Sequence, residues 1–169
     1  FYSLKQKAPL YGALFYGWAF NTVGYIFMLS WQIYLLPELL QSGKDGITAA
    51  NQAELVRQTE IAWIMLLAAP LLAVFSLLFN SALYHLVLRA MNGKEKTPSF
   101  RATLRGVAYS SSPLALMAVP FVGLFVAKFW SIMTTIVALT RVHETSTLRA
   151  VVAYLFPTIF FLFVALGIS

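Results

Sequence analysis

Few side chains in this chain could do chemistry, and most of them lie at the edges of apolar stretches. Lys128 is the exception, set inside the run from Gly123 to Thr140. An ionisable group within such a run marks a functional site by default. Its depth is shallow, about a turn and a half from Gly123. The same residue could therefore snorkel to the nearer interface or pair with Glu60 or Glu38. Ala127, Ser131, Thr134, Thr135 and Ala138 recur around it at helical spacing on one face. Small and hydroxyl residues in that pattern let helices approach closely and hydrogen-bond across the gap. With Lys128 they would also suit a polar pathway.

Ser81, His85 and Arg89 are spaced four apart, with Asn80 and Tyr84 on the neighbouring stripe. This strip suits either a helix leaving an apolar medium or a polar docking face. Ser110, Ser111, Ser112 and Pro113 interrupt another apolar run. They read either as a true helix break, of the kind that marks binding sites in transporters, or as hydroxyls that re-satisfy backbone freed by the proline. Thr103-Leu104-Arg105 with Pro113, and Thr147-Leu148-Arg149 with Pro157, repeat an Arg–Pro spacing of eight. An arginine near a helix start opposes the helix dipole, and an anion at that end would relieve it. Arg101, Arg105, Arg149 and His143 are thus candidate contacts for lipid phosphate or an acidic partner. Neither zinc-protease nor nucleophile-elbow spacing occurs. His85 and His143 have no ligand pattern beside them, and no catalytic residue, metal or cofactor is implied.

The elements that must carry these residues follow from composition. Of 169 residues, 60% are hydrophobic and 11% charged, against 45–50% and about 25% in soluble domains. That supplies too little polar skin for a soluble enzyme and points to lipid as the solvent. Five segments are long and apolar enough to span it, at about 10–36, 61–88, 100–119, 123–140 and 150–168, with a polar loop over 38–60. Pro37 and Glu38 are expected to end the first. The second, roughly 45 Å from Thr59 to Arg89, must tilt, kink at Pro70 or project. Barrel strands are disfavoured by the lack of alternation. Asn51 and Glu54 have capping spacing, which predicts a short helix in the polar loop. Thr97-Pro98 predicts the start of the third helix, and Asn92-Gly93 a turn.

The charge of +6 is distributed unevenly. With five spans, one side collects nine basic residues (Lys5, Lys7, Arg89, Lys94, Lys96, Arg101, Arg105, Arg141, Arg149) and the other Lys44 and Arg57. The positive-inside rule then predicts a cytoplasmic N-terminus and an extracytoplasmic C-terminus. Trp31, Tyr34 and Trp63 would mark the outer interface. This partition accounts for the basic balance without nucleic acid. The absence of cysteine excludes disulfides and thiolate metal sites.

The run Phe100-Arg101-Ala102-Thr103, Ala108-Tyr109-Ser110, Pro113, Pro120-Phe121-Val122-Gly123, Trp130, Arg141-Val142-His143, Ser146, Arg149-Ala150 and Pro157 resembles the Yip1 family in its bacterial branch. The resemblance implies a five-helix integral membrane protein with a cytoplasmic N-terminus and a role in membrane trafficking or membrane homeostasis. Eukaryotic relatives bind prenylated Rab GTPases partly through a cytosolic N-terminal region. Only a few residues precede the first span here, so Rab binding is not carried over.

Together these features predict an all-α polytopic bundle of five transmembrane helices forming a single domain over 1–169. It would sit in the bacterial cytoplasmic membrane and organise lipid or partner proteins without catalysing a reaction. Its partners would be anionic headgroups at the cytoplasmic face, and a protein partner or a second copy. The alternative is a small oligomeric transporter or channel, with Asn80, His85, Ser110, Ser111, Ser112, Lys128, Ser131, Thr134 and Thr135 forming a pathway or polar docking face.

Overall fold

The computed structural model describes residues 9–42, 49–93, 98–120 and 122–167. Among them the chain is helical almost throughout, with no strand. Five α-helices follow one another: α1 (Leu10–Ser42), α2 (Ala49–Asn92), α3 (Phe100–Tyr109), α4 (Val122–His143) and α5 (Thr147–Gly167). A 3₁₀ segment, Ser112–Ala118, lies between α3 and α4. Helix α1 packs against α2, α3 and the 3₁₀ segment, and α5 closes against α2 and α4.

Two of these helices, over Val56–Asn92 and Val122–His143, are long and apolar enough to cross a membrane. Only 22% of the most apolar window of each is buried by protein. A core helix of a soluble protein would be mostly buried, so these apolar faces are built for another apolar medium. Leu67, Leu71 and Phe125 are 84%, 76% and 76% exposed. The packed interior is small by contrast, made of Ala13, Leu77, Leu88, Leu104, Ala108, Leu139, Ala150 and Ala153. Alanines and leucines share it, and the alanines let the helix backbones approach closely.

The polar loop expected over 38–60 is mostly helix. The first helix does not stop at Pro37 and Glu38 but runs to Ser42, and α2 begins at Ala49. The separate short helix expected from Asn51 and Glu54 is instead the opening of α2, with Asn51 inside the helix and not at its cap. An exposed ion pair helps it persist there: Arg57 donates to Glu54 at 2.8 and 2.9 Å, and Gln58 donates to the same carboxylate at 3.0 Å. The Arg57 hydrogen bonds, then that of Gln58, pull the Glu54 carboxyl down to about 2. Helix α2 continues through Pro70. Its 44 residues measure roughly 66 Å, well beyond a hydrocarbon core of ~30 Å.

The third helix starts at Phe100 with Ser99 at its cap position, two residues later than Thr97-Pro98 implies. Thr97 itself lies outside the described residues, as do Lys5, Lys7, Lys44, Lys94, Lys96 and Phe121. The Asn92-Gly93 turn is present. Gly93 adopts φ +78°, and its N–H donates to Arg89 O at 3.0 Å, closing the end of α2. A Cβ there would touch nothing within 4 Å. Gly93→Ala is therefore expected to cost about 1 kcal/mol through backbone conformation alone, visible as a small fall in melting temperature of the purified chain. An unchanged melt would mean the turn relaxes freely.

The expected span over 100–119 is broken in its middle. Pro113 has no N–H to give Tyr109 O, and Ser112 Oγ approaches that carbonyl at 3.5 Å instead. Leu114 N–H turns to Ser111 O at 3.0 Å, tightening the chain into 3₁₀ geometry. Ser110 O, left without its helical donor, accepts from Thr134 Oγ1 of α4 at 3.1 Å. Pro157 in α5 stands at the equivalent spacing from Arg149, yet α5 stays continuous. The difference lies in the three serines that precede Pro113 and offer alternative partners to the freed carbonyls.

Candidate functional site

The break between α3 and the 3₁₀ segment borders a polar cavity of about 160 Å³ inside the bundle. From α1 it is lined by Asn21 and Tyr25, and from α2 by Ser76, Leu77, Asn80 and Tyr84. Val107, Ser110, Ser111 and Leu114 come from α3 and the 3₁₀ segment after it. Helix α4 contributes Lys128, Ser131 and Thr135, and α5 contributes Tyr154. At about 30 Å³ per water, this holds roughly five waters. It is below the ~300–1,000 Å³ of drug-sized pockets, so it fits a small polar group.

Its walls are held by hydrogen bonds between helices. Asn21 Nδ2 donates to Ser111 Oγ at 2.9 Å and to Gly17 O at 2.7 Å. Ser110 Oγ and Thr135 Oγ1 lie 2.9 Å apart, and Ser110 Oγ also reaches Val107 O at 2.8 Å. Tyr84 and Tyr154 stack with ring centroids 5.6 Å apart. Lys128 is exposed while lining the cavity, so it stands at the mouth. Among the described residues no carboxylate lines the cavity, and none pairs with Lys128.

A second polar cluster sits where α2 and α4 end and α3 begins. His85 Nδ1 lies 3.0 Å from Thr103 Oγ1, and His143 Nε2 lies 2.8 Å from the same oxygen. Thr103 is fully buried and His143 is 3% exposed. One hydroxyl carries one proton, so it donates to one imidazole while the other ring must donate to it. His143 Nδ1 has no partner among the described residues. A bare lone pair there costs less than an orphaned N–H. That favours His143 Nε2–H donating to Thr103, and Thr103 donating to His85 Nδ1. The cluster therefore fixes tautomers and ties three helices. Its polar atoms face one another, and no third His or any carboxylate joins them to make a metal set among the described residues.

The family model described as the Yip1 domain matches residues 1–168 of this chain. The chain belongs to the Yip1 domain family. No curated protein and no solved structure matches it. Membership in the Yip1 family and the two long apolar helices point to a membrane protein.

The Yip1 bundle sorts the residues singled out by spacing. Asn80, Ser110, Ser111, Lys128, Ser131 and Thr135 converge on the cavity. Ser112 and Thr134 do not line it. They serve the backbone of the break and of α4, Thr134 also reaching Trp130 O at 2.9 Å. His85 joins the second cluster. His143, expected among lipid contacts at the cytoplasmic face, is instead buried, because its ring is drawn onto Thr103. Arg101 and Arg149 are exposed and Arg105 is half-buried. Arg149 Nη1 donates to Asn92 Oδ1 at 2.9 Å, bridging the end of α2 to the start of α5. Of the alternatives open to Lys128, pairing with Glu60 is not made, and the Glu38 side chain lies outside the described residues.

Spacing missed Asn21, Tyr25 and the hub role of Thr103. Asn21 carried a signal, as an amide in the middle of an apolar run without charge, where a polar group is expensive unless partnered. Trp31, expected at the outer interface, is half-buried and donates to Met117 O at 2.9 Å. Tyr34 and Trp63 meet edge-to-face with centroids 6.3 Å apart.

Proposed function

We propose that this Yip1-domain chain is a non-enzymatic, five-span protein of the bacterial cytoplasmic membrane that organises lipid by receiving a polar headgroup in its mid-bundle cavity. The observation that carries this reading is the cavity itself: a polar chamber with a charged mouth in a molecule whose outer faces are apolar. Its described walls offer hydroxyls, amides and an ammonium, which bind and orient, without a carboxylate among the described residues to act as acid or base. Exposed Arg101 and Arg149 support a second role at the cytoplasmic rim, each contributing about 1 kcal/mol toward an anionic surface.

The lipid reading is tested by filling the chamber. Ser131→Leu is expected to strip lipid that co-purifies with the wild-type chain, read by native mass spectrometry. Equal lipid occupancy in both would remove the basis for the proposal. A solute pathway is the second reading, supported by the helix break beside the cavity. Flux of a small solute into proteoliposomes, lost with Ser131→Leu, would favour it over lipid handling.

The five-span topology is tested with single cysteines in this cysteine-free chain. Cysteines at Gly43 and at Ser146, an exposed position before α5, should label from opposite sides of the membrane. Labelling from one side would overturn five spans.

A further inference from the structure

We infer that the group this cavity takes is a phosphodiester monoanion, with Lys128 as its counter-ion. The inference rests on reading the cavity as a headgroup site and adds which headgroup chemistry it selects. Lys128 sits six residues into α4, roughly 9 Å along the helix axis. At a mouth flanked by apolar faces its charge is best met by one opposite charge, so a ligand that brings the sum of ligand and lining close to zero is favoured. Among the described lining residues Lys128 is the one charged group. A phosphodiester carries one negative charge and matches it. A phosphomonoester carries about −1.5 to −2 at neutral pH and would leave excess negative charge in the chamber. A cationic headgroup would meet an ammonium with no carboxylate to offset it.

The remaining lining supplies donors suited to phosphate oxygens. Ser110, Ser111 and Thr135 are already engaged with the walls. The Asn80 amide and the Tyr25 hydroxyl line the same space and make no hydrogen bond with another described side chain or backbone group. Lys128 supplies the charge-assisted bond, and these two groups the neutral ones. The mouth is placed for a lipid. Beside Lys128 on α4, Leu124, Phe125 and Phe129 are 40%, 76% and 63% exposed. Acyl chains lying along that face would leave the phosphate at the ammonium.

The test uses the full chain purified in detergent and short-chain lipid probes, with binding read by native mass spectrometry. Dihexanoyl phosphatidylglycerol is the diester probe, dihexanoyl phosphatidic acid the monoester and dihexanoyl glycerol the phosphate-free control. The wild type should bind the diester more tightly than either of the others. Lys128→Met, which removes a charge from an apolar setting and leaves folding intact, should weaken the diester by roughly tenfold or more. Lys128→Arg should restore it. Diester affinity unchanged in Lys128→Met, or tighter binding of the monoester, overturns the inference. If Ser131→Leu still abolishes lipid binding in that case, the cavity remains a headgroup site without charge selection. If Ser131→Leu also changes nothing, the headgroup reading falls with it.

Discussion

Thr103→Val should destabilise the bundle by about 2 kcal/mol although it changes neither size nor shape. The hydroxyl is shared by His85 Nδ1 at 3.0 Å and His143 Nε2 at 2.8 Å, so its loss strands two ring nitrogens at once. In a water-soluble core each stranded group would cost about 1–3 kcal/mol. In a bilayer the unfolded reference also finds partners, and one interhelical hydrogen bond averages about 0.6 kcal/mol, reaching about 1.7. Two bonds at a fully buried hydroxyl place the expectation near the upper end of that scale. Thr103→Ser keeps the hydroxyl and should lose less than Thr103→Val, only the packing contacts of the missing methyl. The measurement is thermal unfolding of the full chain in detergent, with His143→Leu in a double-mutant cycle. Because both changes delete the same hydrogen bond, their effects should fall short of additivity. A Thr103→Val melt equal to wild type, or strict additivity, would show that the hydroxyl does not join the rings.

That cluster also shows where sequence reading runs out. His85, Thr103 and His143 are separated by 18 and 40 positions, and nothing local in any of them signals the other two. They meet because α2, α3 and α4 come together at one end, which is a property of packing. The break at Ser110–Pro113 was legible because its causes are local: an imide without an N–H, and three adjacent hydroxyls to occupy the freed carbonyls. The apolar runs over 123–140 and 150–168 placed α4 and α5 within a few residues at each end. The stretch from Pro37 to Thr59 misled for the opposite reason. A helix in water needs no apolar stripe, and the Glu54, Arg57 and Gln58 spacing that supports the opening of α2 looks like an ordinary polar loop. Six of the polar residues chosen by spacing converged on the cavity, because helical periodicity predicts a shared face. It does not say which faces meet, so Asn21 and Tyr25 on α1 went unassigned.

Gly17→Leu is expected to force α1 away from α3 and to empty the cavity along with it. A Cβ at Gly17 would lie 2.8 Å from both Cα and Cβ of Ala108, and 3.1 Å from Leu77 Cδ2. The first of these atoms is backbone and cannot turn aside, so the helices must separate. Overpacking of this kind costs about 1–3 kcal/mol, occasionally more, and a leucine where two backbones meet belongs at the high end. One turn further along α1, Asn21 donates to Ser111 Oγ at 2.9 Å. Moving α1 outward breaks that bond and opens the cavity wall, so loss of bound lipid should accompany loss of stability. Gly12→Leu is the control, since that position is exposed and its Cβ would meet only Pro9 at 3.8 Å. It should leave both readouts unchanged. Ala108→Gly added to Gly17→Leu removes the clashing methyl and should recover part of the stability. Recovery stays partial because the new side chain still strikes the backbone at position 108. A Gly17→Leu variant that melts and retains lipid like wild type would mean that α1 does not form this wall of the chamber.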